Sequence, residues 1–159
     1  MNRNYDYHFG ENDIGSSSNP CQEDFRGESA FSEPETKAIK DLIEENNIKI
    51  AYNYHSFGNF LITPFNYDSD ENNNLKTKFD EFYKLYKEFY QEGLFPFNDI
   101  MGNGKATVGY QANGEASDWM LGAKKILSFS PELGIYHIGS EYGYESFYPP
   151  IDKAFNIIK

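Results

Sequence analysis

Four polar features of the sequence have residue types that could do chemistry. They are Asn2-Arg3, His55-Ser56, Tyr110 and Glu132. A histidine and a serine at the end of a strand stand where α/β enzymes often place catalytic residues. A carboxylate directly behind an apolar strand is costly to bury without a partner or a function. Each feature also has an ordinary structural explanation, so residue type alone leaves both interpretations open.

Two short strands surround the histidine. Residues 48–55 alternate between apolar and other side chains, with Ile48, Ile50 and Tyr52 on the apolar face, which is the period of a half-buried strand. Residues 59–63 predict a second short strand that ends before a proline. The histidine therefore lies at the end of the first strand.

A helix is predicted just before these strands, over residues 33–45. Ser32 is its expected cap, Pro34 lies in the first turn and Glu35 reaches back, which together form a capping box. One apolar stripe is expected to face the core, formed by Ile39, Leu42 and Ile43.

Two stretches are irregular and rich in turn-forming residues. Residues 1–31 predict a long ordered loop with aromatic anchors at Tyr5, Tyr7, Phe9 and Phe25. Residues 97–113 are rich in glycine and could form a flap over a site or a plain connector.

The rest of the chain adds helices and one buried strand. Helices are predicted for three ranges: 75–91, 115–124 and 151–158. The buried strand covers residues 126–130; Pro131 is expected to stop it, and Glu132 stands just past its end. Helices alternating with strands predict an α/β fold, with part of a mixed central sheet flanked by helices. The strands are too few for a complete sheet of ordinary size.

Bulk properties exclude several classes of function. The 159 residues suffice for one domain or for part of a larger one. A net charge of -11 argues against nucleic-acid or anionic-membrane partners. The single cysteine, Cys21, excludes an internal disulfide and a thiolate zinc cluster. The apolar runs are too short to span a bilayer, and the first residues lack the apolar core of a signal peptide.

Several sequence blocks, taken together and in order, resemble a known family. The blocks are NRNYD, SSSNPC, FRGESAFSEPET, NYHSFGNFLITPF, GYQANGEASDW and SFSPELG. Their order and spacing resemble the zinc metallocarboxypeptidases of the carboxypeptidase A type, over nearly the whole chain. The resemblance implies a zinc-carboxypeptidase-like (phosphorylase/hydrolase-like) α/β fold, with residues 1–159 as a partial catalytic domain.

The resemblance assigns the substrate-binding residues. It implies that Asn2 and Arg3 hold the terminal carboxylate of the substrate, a task to which a guanidinium fork is suited. Ser56 matches a residue that shapes the substrate groove. Tyr110 matches the mobile tyrosine that folds over the bound C-terminal residue.

The resemblance also assigns the metal and the base. His55 matches the third ligand of one Zn²⁺ ion, and Glu132 matches the general base that activates the zinc-bound water. The other two ligands of the family come from a His-x-x-Glu motif upstream of the Asn-Arg pair, together with a carbonyl-polarising arginine, and this sequence starts at Asn-Arg. A catalytic zinc needs three protein ligands. We therefore expect a C-terminal portion of a longer enzyme or an inactive relative.

The sequence indicates the preferred C-terminal side chain of the substrate less clearly. The family's pocket floor corresponds to Ala116 and Ser117, small residues that would admit apolar or mixed side chains. Glu115 could instead attract Lys or Arg termini, and the sequence does not decide between these. Cys21 matches a position that is disulfide-bonded in some members.

The expected function is zinc-dependent removal of C-terminal residues from peptides or proteins, with the isolated chain inactive. One alternative is a non-catalytic module that grips peptide C-termini. The further hypothesis of a carbohydrate-active protein rests on composition alone, because no two acidic residues have the spacing of a glycosidase pair. Secretion is expected at the level of the family, and oligomeric state is not indicated.

Overall fold

A five-stranded mixed sheet is the frame of the molecule. The computed structural model describes residues 1–58, 60–67, 84, 88 and 101–133. The strands within these ranges are β1 Ile50–Tyr52, β2 His55–Ser56, β3 Phe60–Ile62, β4 Met101–Gly102 and β5 Leu127–Leu133. The helices there are α1 Pro34–Glu45, α2 Gly104–Thr107 and α3 Ala116–Gly122. The predicted α/β class with a mixed sheet is confirmed.

Strand β5 is the organising strand. The order along the sheet is β1-β5-β3-β4, and β2 also pairs with β5. Strands β1 and β2 run parallel to β5, whereas β3 runs antiparallel to it and parallel to β4. The carboxyl-terminal half of β5 therefore has β2 along one edge and β3 along the other.

The prediction that Pro131 ends this strand was wrong. Pro131 lies inside β5 with Leu61 as its Cα partner, and the pairing continues at Ser130 and Glu132 on either side. A proline removes one N–H donor, but its fixed φ remains compatible with an extended chain. Because the residues on either side of Pro131 pair with β3, the strand continues past the proline. Glu132 is thus a residue within the sheet rather than one just past the strand.

The strand predicted for residues 48–55 is split into β1 and β2, and two of the three residues on its predicted apolar face are exposed. Ile50 is 46% exposed and Tyr52 is 42% exposed. The third, Ile48, packs against the core cluster, and so does Ala51 from the other set of alternating side chains. Alternation identified the strand but not the side that faces the core, because that choice depends on the elements that cover it.

Strand β3 confirms the prediction for residues 59–63, although Asn59 lies outside the described residues. Phe60, Leu61 and Ile62 are all buried. A strand buried on both faces is typical of the interior of an α/β sheet.

Helix α1 confirms the predicted helix, but its start is stabilised differently. The cap is Glu33, without a side-chain cap bond. The side chain of Asn4, from the opening loop, accepts hydrogen bonds from the Glu33 backbone N–H and from Thr36 Oγ1. The prediction of a capping box at Ser32 was therefore wrong. Asn4, which is distant in sequence, accepts the hydrogen bond from the backbone N–H at the start of the helix. The apolar stripe is also narrower than predicted: Leu42 is exposed and Ile43 is buried.

The core lies between α1, the opening loop and α3, which packs on β5. Every residue of α3 is buried. Trp119 is 2% exposed and its ring contacts the rings of Tyr5 and Phe31. Residues 1–31 form the predicted ordered loop: the backbone there makes one isolated bridge, between Ser17 and Phe25.

Other predictions concern residues 68–100 and 134–159. The helices predicted for 75–91 and 151–158 lie outside the described residues apart from isolated positions. The described part of the glycine-rich stretch contains β4 and α2. Within the part of the chain that the structure describes, no helix has the length and apolar character needed to cross a membrane.

Candidate active site

A single cavity gathers most of the residues that the sequence singled out. Its lining includes the predicted residues Asn2, Arg3, His55, Tyr110 and Glu132. The rest of the lining comes from seven further residues: Ile62, Asn66, Gly104, Val108, Ala112, Glu115 and Ser130. The predicted residues come from the opening loop, two strands and the segment after α2, so the fold, not the sequence spacing, brings them together.

His55 and Glu132 are neighbours across the sheet. They are Cα partners in the parallel pairing of β2 with β5, and both line the cavity. Burial, followed by the negative charge of Glu115, raises the pKa of Glu132 to about 7. A carboxylate with such a pKa can both accept and return a proton near neutral pH.

The imidazole of His55 is oriented by amide side chains. Its Nε2 lies 2.8 Å from Asn53 Nδ2 and 3.4 Å from Asn2 Nδ2. Burial, then the positive charges of Arg3 and of the N-terminal amine, lower the pKa of His55 below its usual value. The ring is therefore held mainly in its neutral form at neutral pH, which is the form that binds metals.

Arg3 is held rigidly at the edge of the cavity. Its Nε donates to the Gly15 carbonyl, and its Nη1 donates to the Asn2 carbonyl and, at 2.9 Å, to Glu115 Oε1. Among the described residues, no hydrogen bond from Nη2 is recorded. A guanidinium fixed on one side in this way presents its remaining N–H groups to an incoming anion.

Asn2 supports the same edge. Its Oδ1 accepts a hydrogen bond of 2.9 Å from the Ala116 backbone N–H, at the first residue of α3. The amide nitrogen of Asn2 consequently faces the His55 side of the cavity.

Glu115 is the acid that neutralises Arg3. It is 8% exposed, and its Oε2 accepts a hydrogen bond of 2.6 Å from Asn66 Nδ2. Burial raises the pKa of Glu115 to about 6, against the opposing effects of Arg3 and of the Asn66 hydrogen bond. The sequence had raised Glu115 as one option for specificity, and the structure places its carboxylate in the cavity wall.

Asn66 and Asp118 were not identified from the sequence. Asn66 is 2% exposed; its Oδ1 accepts from the Gly104 N–H, and its carbonyl accepts from the Ala112 N–H. Asp118 is fully buried and accepts from the backbone N–H groups of Asn66 and Tyr67. Burial and the charge of Glu115 raise the pKa of Asp118 well above its usual range. No local motif marks Asn66, because every partner is distant in sequence.

Tyr110 lies at the mouth of the cavity, in the segment that follows α2. It is 51% exposed. An exposed tyrosine at the rim has room to turn over a bound molecule.

Two predicted residues lie outside the cavity lining. Ser56 is an exposed residue of β2, paired with Leu133. Ser117 is fully buried in α3, where its Oγ lies 3.3 Å from Asn66 Nδ2 and its carbonyl accepts from Ser128 Oγ. Its neighbour Ala116 is also buried. Ser117 thus lies behind Asn66, whereas Glu115 reaches the cavity.

The described residues supply one candidate metal ligand at this site. His55 Nε2 is engaged by Asn53, and no partner of Nδ1 is recorded among the described residues, so this nitrogen fits a metal ligand. Within those residues no group of three or more His, Cys, Asp or Glu side chains could hold a metal ion. The donor set described here therefore fits one position of a three-ligand zinc site.

A profile of the family described as zinc carboxypeptidase matches residues 1–154. The chain belongs to the zinc carboxypeptidase family. Carboxypeptidase B of Helicoverpa zea is 29% identical over 152 residues, covering 94% of this chain and 34% of that protein. Human carboxypeptidase A1 is 36% identical over 140 residues, covering 83% of this chain and 30% of that protein. The chain thus spans about a third of the length of these relatives.

Solved structures give the same result for the fold. Bovine thrombin-activatable fibrinolysis inhibitor, in complex with a tick carboxypeptidase inhibitor, matches with a TM-score of 0.69 and 26% identity, covering 94% of this chain and 48% of that one. Carboxypeptidase A from Helicoverpa armigera matches with a TM-score of 0.67 and 26% identity, covering 90% and 34%. The expected family and fold are confirmed, and the family is one of zinc-dependent hydrolases.

Proposed function

We propose that this chain forms the carboxylate-binding and proton-transfer side of a zinc metallocarboxypeptidase site, in a protein that releases the C-terminal residues of peptides. The observation that carries the proposal is the convergence of Arg3, His55, Tyr110 and Glu132 on one cavity. These residues come from distant parts of the chain, and each has a chemical property that the reaction needs.

The terminal carboxylate of the substrate binds at Arg3 and Asn2. The Nε and Nη1 hydrogens of Arg3 are taken by protein acceptors, which leaves Nη2 for the carboxylate. Among the described residues, the Asn2 amide nitrogen makes one long contact, with His55, so it can also donate. Tyr110 at the rim then covers the bound residue. Charge-assisted hydrogen bonds of this kind give the site its preference for a free terminus.

Glu132 transfers the proton. It lies beside His55 in the sheet, and a pKa of about 7 lets it take a proton from water and return it to the leaving amine. When bound by His55 and by ligands outside the described residues, Zn²⁺ would polarise the substrate carbonyl and acidify water. We further propose that the polypeptide of this sequence is inactive by itself, because a catalytic zinc needs three protein ligands and, within the described residues, no group of three or more His, Cys, Asp or Glu side chains could hold a metal ion.

A titration of the purified chain tests carboxylate recognition. A peptide with a free C-terminus is compared with the same peptide amidated, with Trp119 fluorescence or calorimetry as the signal. We expect the free acid to bind and the amide not to bind. Arg3→Ala should abolish the difference, whereas Lys37→Ala, which removes a positive charge from the exposed side of α1, should preserve it. Equal binding of acid and amide would overturn the proposal.

A non-catalytic module that binds peptide C-termini is the second candidate, and the single described zinc ligand favours it. Measuring zinc content and hydrolysis together separates the two. Stoichiometric zinc with peptidase activity in this chain would refute its predicted inactivity. In a protein that carries the complete ligand set, hydrolysis that is lost in Glu132→Gln with peptide binding retained supports the enzyme; no hydrolysis at all leaves the binding module.

A further inference from the structure

One buried side chain joins two parts of the cavity wall that are distant in sequence. Asn66 follows β3 and is 2% exposed. Its Oδ1 accepts a hydrogen bond of 2.6 Å from the Gly104 backbone N–H. Its Nδ2 therefore faces the other way, where it donates to Glu115 Oε2 at 2.6 Å. The orientation of this amide is fixed by a backbone donor on one side and a carboxylate on the other.

The backbone of Asn66 holds the far end of the same segment. The Ala112 N–H donates to the Asn66 carbonyl at 2.9 Å. Residues 104–112, which contain α2 and Tyr110, are thus attached at both ends to one residue. Asn66 is itself anchored to the core, because its backbone N–H donates to both carboxylate oxygens of Asp118. Tyr110 lies between the two attachments and is half exposed.

The space around Gly104 shows how closely this attachment is fitted. A Cβ added there would lie 2.9 Å from the Tyr110 carbonyl oxygen and 3.1 Å from Asn66 Oδ1. The first of these distances is too short for a carbon atom beside a backbone oxygen. The first turn of α2 therefore rests against both Asn66 and the backbone of Tyr110, so the position of Tyr110 follows that of Gly104.

The other side of the Asn66 amide leads to the residue that binds carboxylates. Glu115 Oε1 accepts from Arg3 Nη1 at 2.9 Å, while its Oε2 accepts from Asn66. Glu115 is 8% exposed, so water compensates its charge only in part. Three hydrogen bonds in a row therefore connect Arg3 with the segment that carries Tyr110.

We propose that Asn66 is a positioning residue, which couples the binding of a C-terminal carboxylate at Arg3 to the closure of Tyr110 over the bound residue. The inference rests on the proposed function, in which Arg3 binds that carboxylate and Tyr110 covers it. Asn66 acts through Glu115 on one side and through Gly104 on the other. It thus positions other residues and takes no part in the chemistry itself.

The direction of the coupling follows from the charges. A substrate carboxylate on Arg3 shares the guanidinium with Glu115, which is then less well compensated and accepts more strongly from Asn66 Nδ2. Hydrogen bonds that polarise the same amide strengthen one another. The bond from the Gly104 N–H to Asn66 Oδ1 therefore becomes stronger as well. The segment that carries Tyr110 is consequently held more firmly when the carboxylate is bound.

A double-mutant cycle in peptide binding tests the inference, with calorimetric titration at pH 7.5 as the measurement. The peptide is an N-acetylated tetrapeptide that ends in leucine with a free carboxylate, and its amidated form controls for recognition of the carboxylate. Tyr110→Ala should weaken binding of the free acid about tenfold in the wild-type background. In an Asn66→Ala background the same substitution should weaken binding about twofold or less, because the tyrosine is no longer held in place.

A merely structural role of Asn66 gives a different result. Lower stability or a weaker contact with Arg3 would weaken binding in Asn66→Ala, but Tyr110→Ala would then cost the same factor in both backgrounds. Lys105→Gln, at an exposed position of α2, is the control background and should keep the full effect of Tyr110→Ala. Equal factors in the wild-type and Asn66→Ala backgrounds would overturn the inference, as would a Tyr110→Ala variant with wild-type affinity.

Two measurements remain decisive if Asn66→Ala does not fold. Gly104→Ala leaves Asn66 intact and pushes the segment away from it, so Tyr110→Ala should again lose most of its effect in that background. In the unmodified chain, NMR-detected hydrogen exchange at the Gly104 and Ala112 N–H groups should slow about threefold or more on saturation with the free acid. The same concentration of amidated peptide should leave both rates unchanged. A Gly104 exchange rate that does not respond to the free acid would contradict the coupling.

The outcomes separate the inference from the function on which it rests. If the amidated peptide binds as well as the free acid, or if neither binds, the proposed function fails. If the free acid binds in preference but the effect of Tyr110→Ala does not depend on Asn66, the function stands and the coupling through Asn66 is wrong.

Discussion

The carboxylate of Asp118 accepts hydrogen bonds from the backbone N–H of Asn66, which lies 52 residues earlier in the chain, at 3.0 Å through Oδ1 and 2.8 Å through Oδ2. Oδ2 also accepts from the Tyr67 N–H at 3.0 Å. Asp118 belongs to α3, and Asn66 follows β3, so this contact fixes a wall of the cavity to the core helix. The side chain of Asn66 then reaches Glu115 and Gly104.

We expect Asp118→Asn to lower the free energy of unfolding by about 1–3 kcal/mol, because an amide NH₂ would face backbone donors that then lack an acceptor. Urea unfolding followed by circular dichroism measures it. Asp41→Asn, at an exposed position of α1, is the matched control and should change stability by about 0.5 kcal/mol or less. If Asp118→Asn lowers the free energy of unfolding no more than Asp41→Asn does, the contact does not contribute to stability.

The pH dependence of stability should report the buried Glu115. Its pKa is raised from 4.5 to about 6 in the folded chain, so the folded state binds more protons than the unfolded state between these values. The contribution of Glu115 to the free energy of unfolding is therefore complete below about pH 4.5 and falls by about 2 kcal/mol as the pH rises past 6. The groups that face Glu115 are Arg3, Asp118 and Glu132.

These neighbours are common to the wild type and to Glu115→Gln, so the difference between the two chains isolates Glu115 and its coupling. Unfolding free energies of both should be measured across pH 4 to 8. The wild type should lose stability relative to Glu115→Gln as the pH rises. A difference that does not vary with pH, or that varies in the opposite direction, would contradict the burial of Glu115.

The titration of His55 is a further prediction. Burial, then Arg3 and the N-terminal amine, lower its pKa below 6.5. NMR of the ring protons should place its midpoint below that value. Arg3→Gln removes one cause and should move the midpoint upward, whereas Lys37→Gln should leave it unchanged. A midpoint above 6.5 in the wild type would show that the ring is less buried than described.

The local elements of the fold could be predicted where the neighbouring residues determine them. The helix over 33–45 and the strand over 59–63 were found because proline positions and apolar runs act within one element. Two features of the strands were missed because they depend on the neighbouring strands and helices in the fold. Pro131 stays in β5 through pairing on both sides, and the buried side of β1 is set by the elements that cover it.

In the candidate site, too, some residues could be identified from the sequence, whereas others depend on contacts between distant segments. Resemblance identified Arg3, His55, Tyr110 and Glu132, and the structure brings them to one cavity. It did not identify Asn66, whose partners Gly104, Glu115 and Asp118 lie 38 to 52 residues away. An asparagine after a proline and an aromatic residue has no distinctive local pattern. Its role arises only when the turn after β3 meets α3.

Leu61 should be the most sensitive aliphatic position of the sheet. It is fully buried in β3, with Pro131 and Met101 as Cα partners on either side. Leu61→Ala should lower the free energy of unfolding by about 2–5 kcal/mol, since the cavity left there cannot collapse easily. Leu42→Ala removes the same atoms from a residue that is 52% exposed and should cost far less. Similar losses for both variants in urea unfolding would contradict the buried position of β3.

Gly114 should link backbone conformation to substrate binding. Its φ is +67°, and a Cβ there would lie 2.4 Å from the Arg3 carbonyl oxygen. Gly114→Ala must therefore displace the loop that carries Arg3, besides the strain of about 1–2 kcal/mol that a left-handed alanine costs. Gly109 has a φ of +84° with nothing within 4 Å, so Gly109→Ala carries the strain without the clash. Gly114→Ala should weaken binding of free C-termini about tenfold or more, as expected when a charge-assisted contact is misplaced, and Gly109→Ala should weaken it far less. Equal binding by the two variants, measured by the same peptide titration, would show that the position of Arg3 does not depend on this close approach.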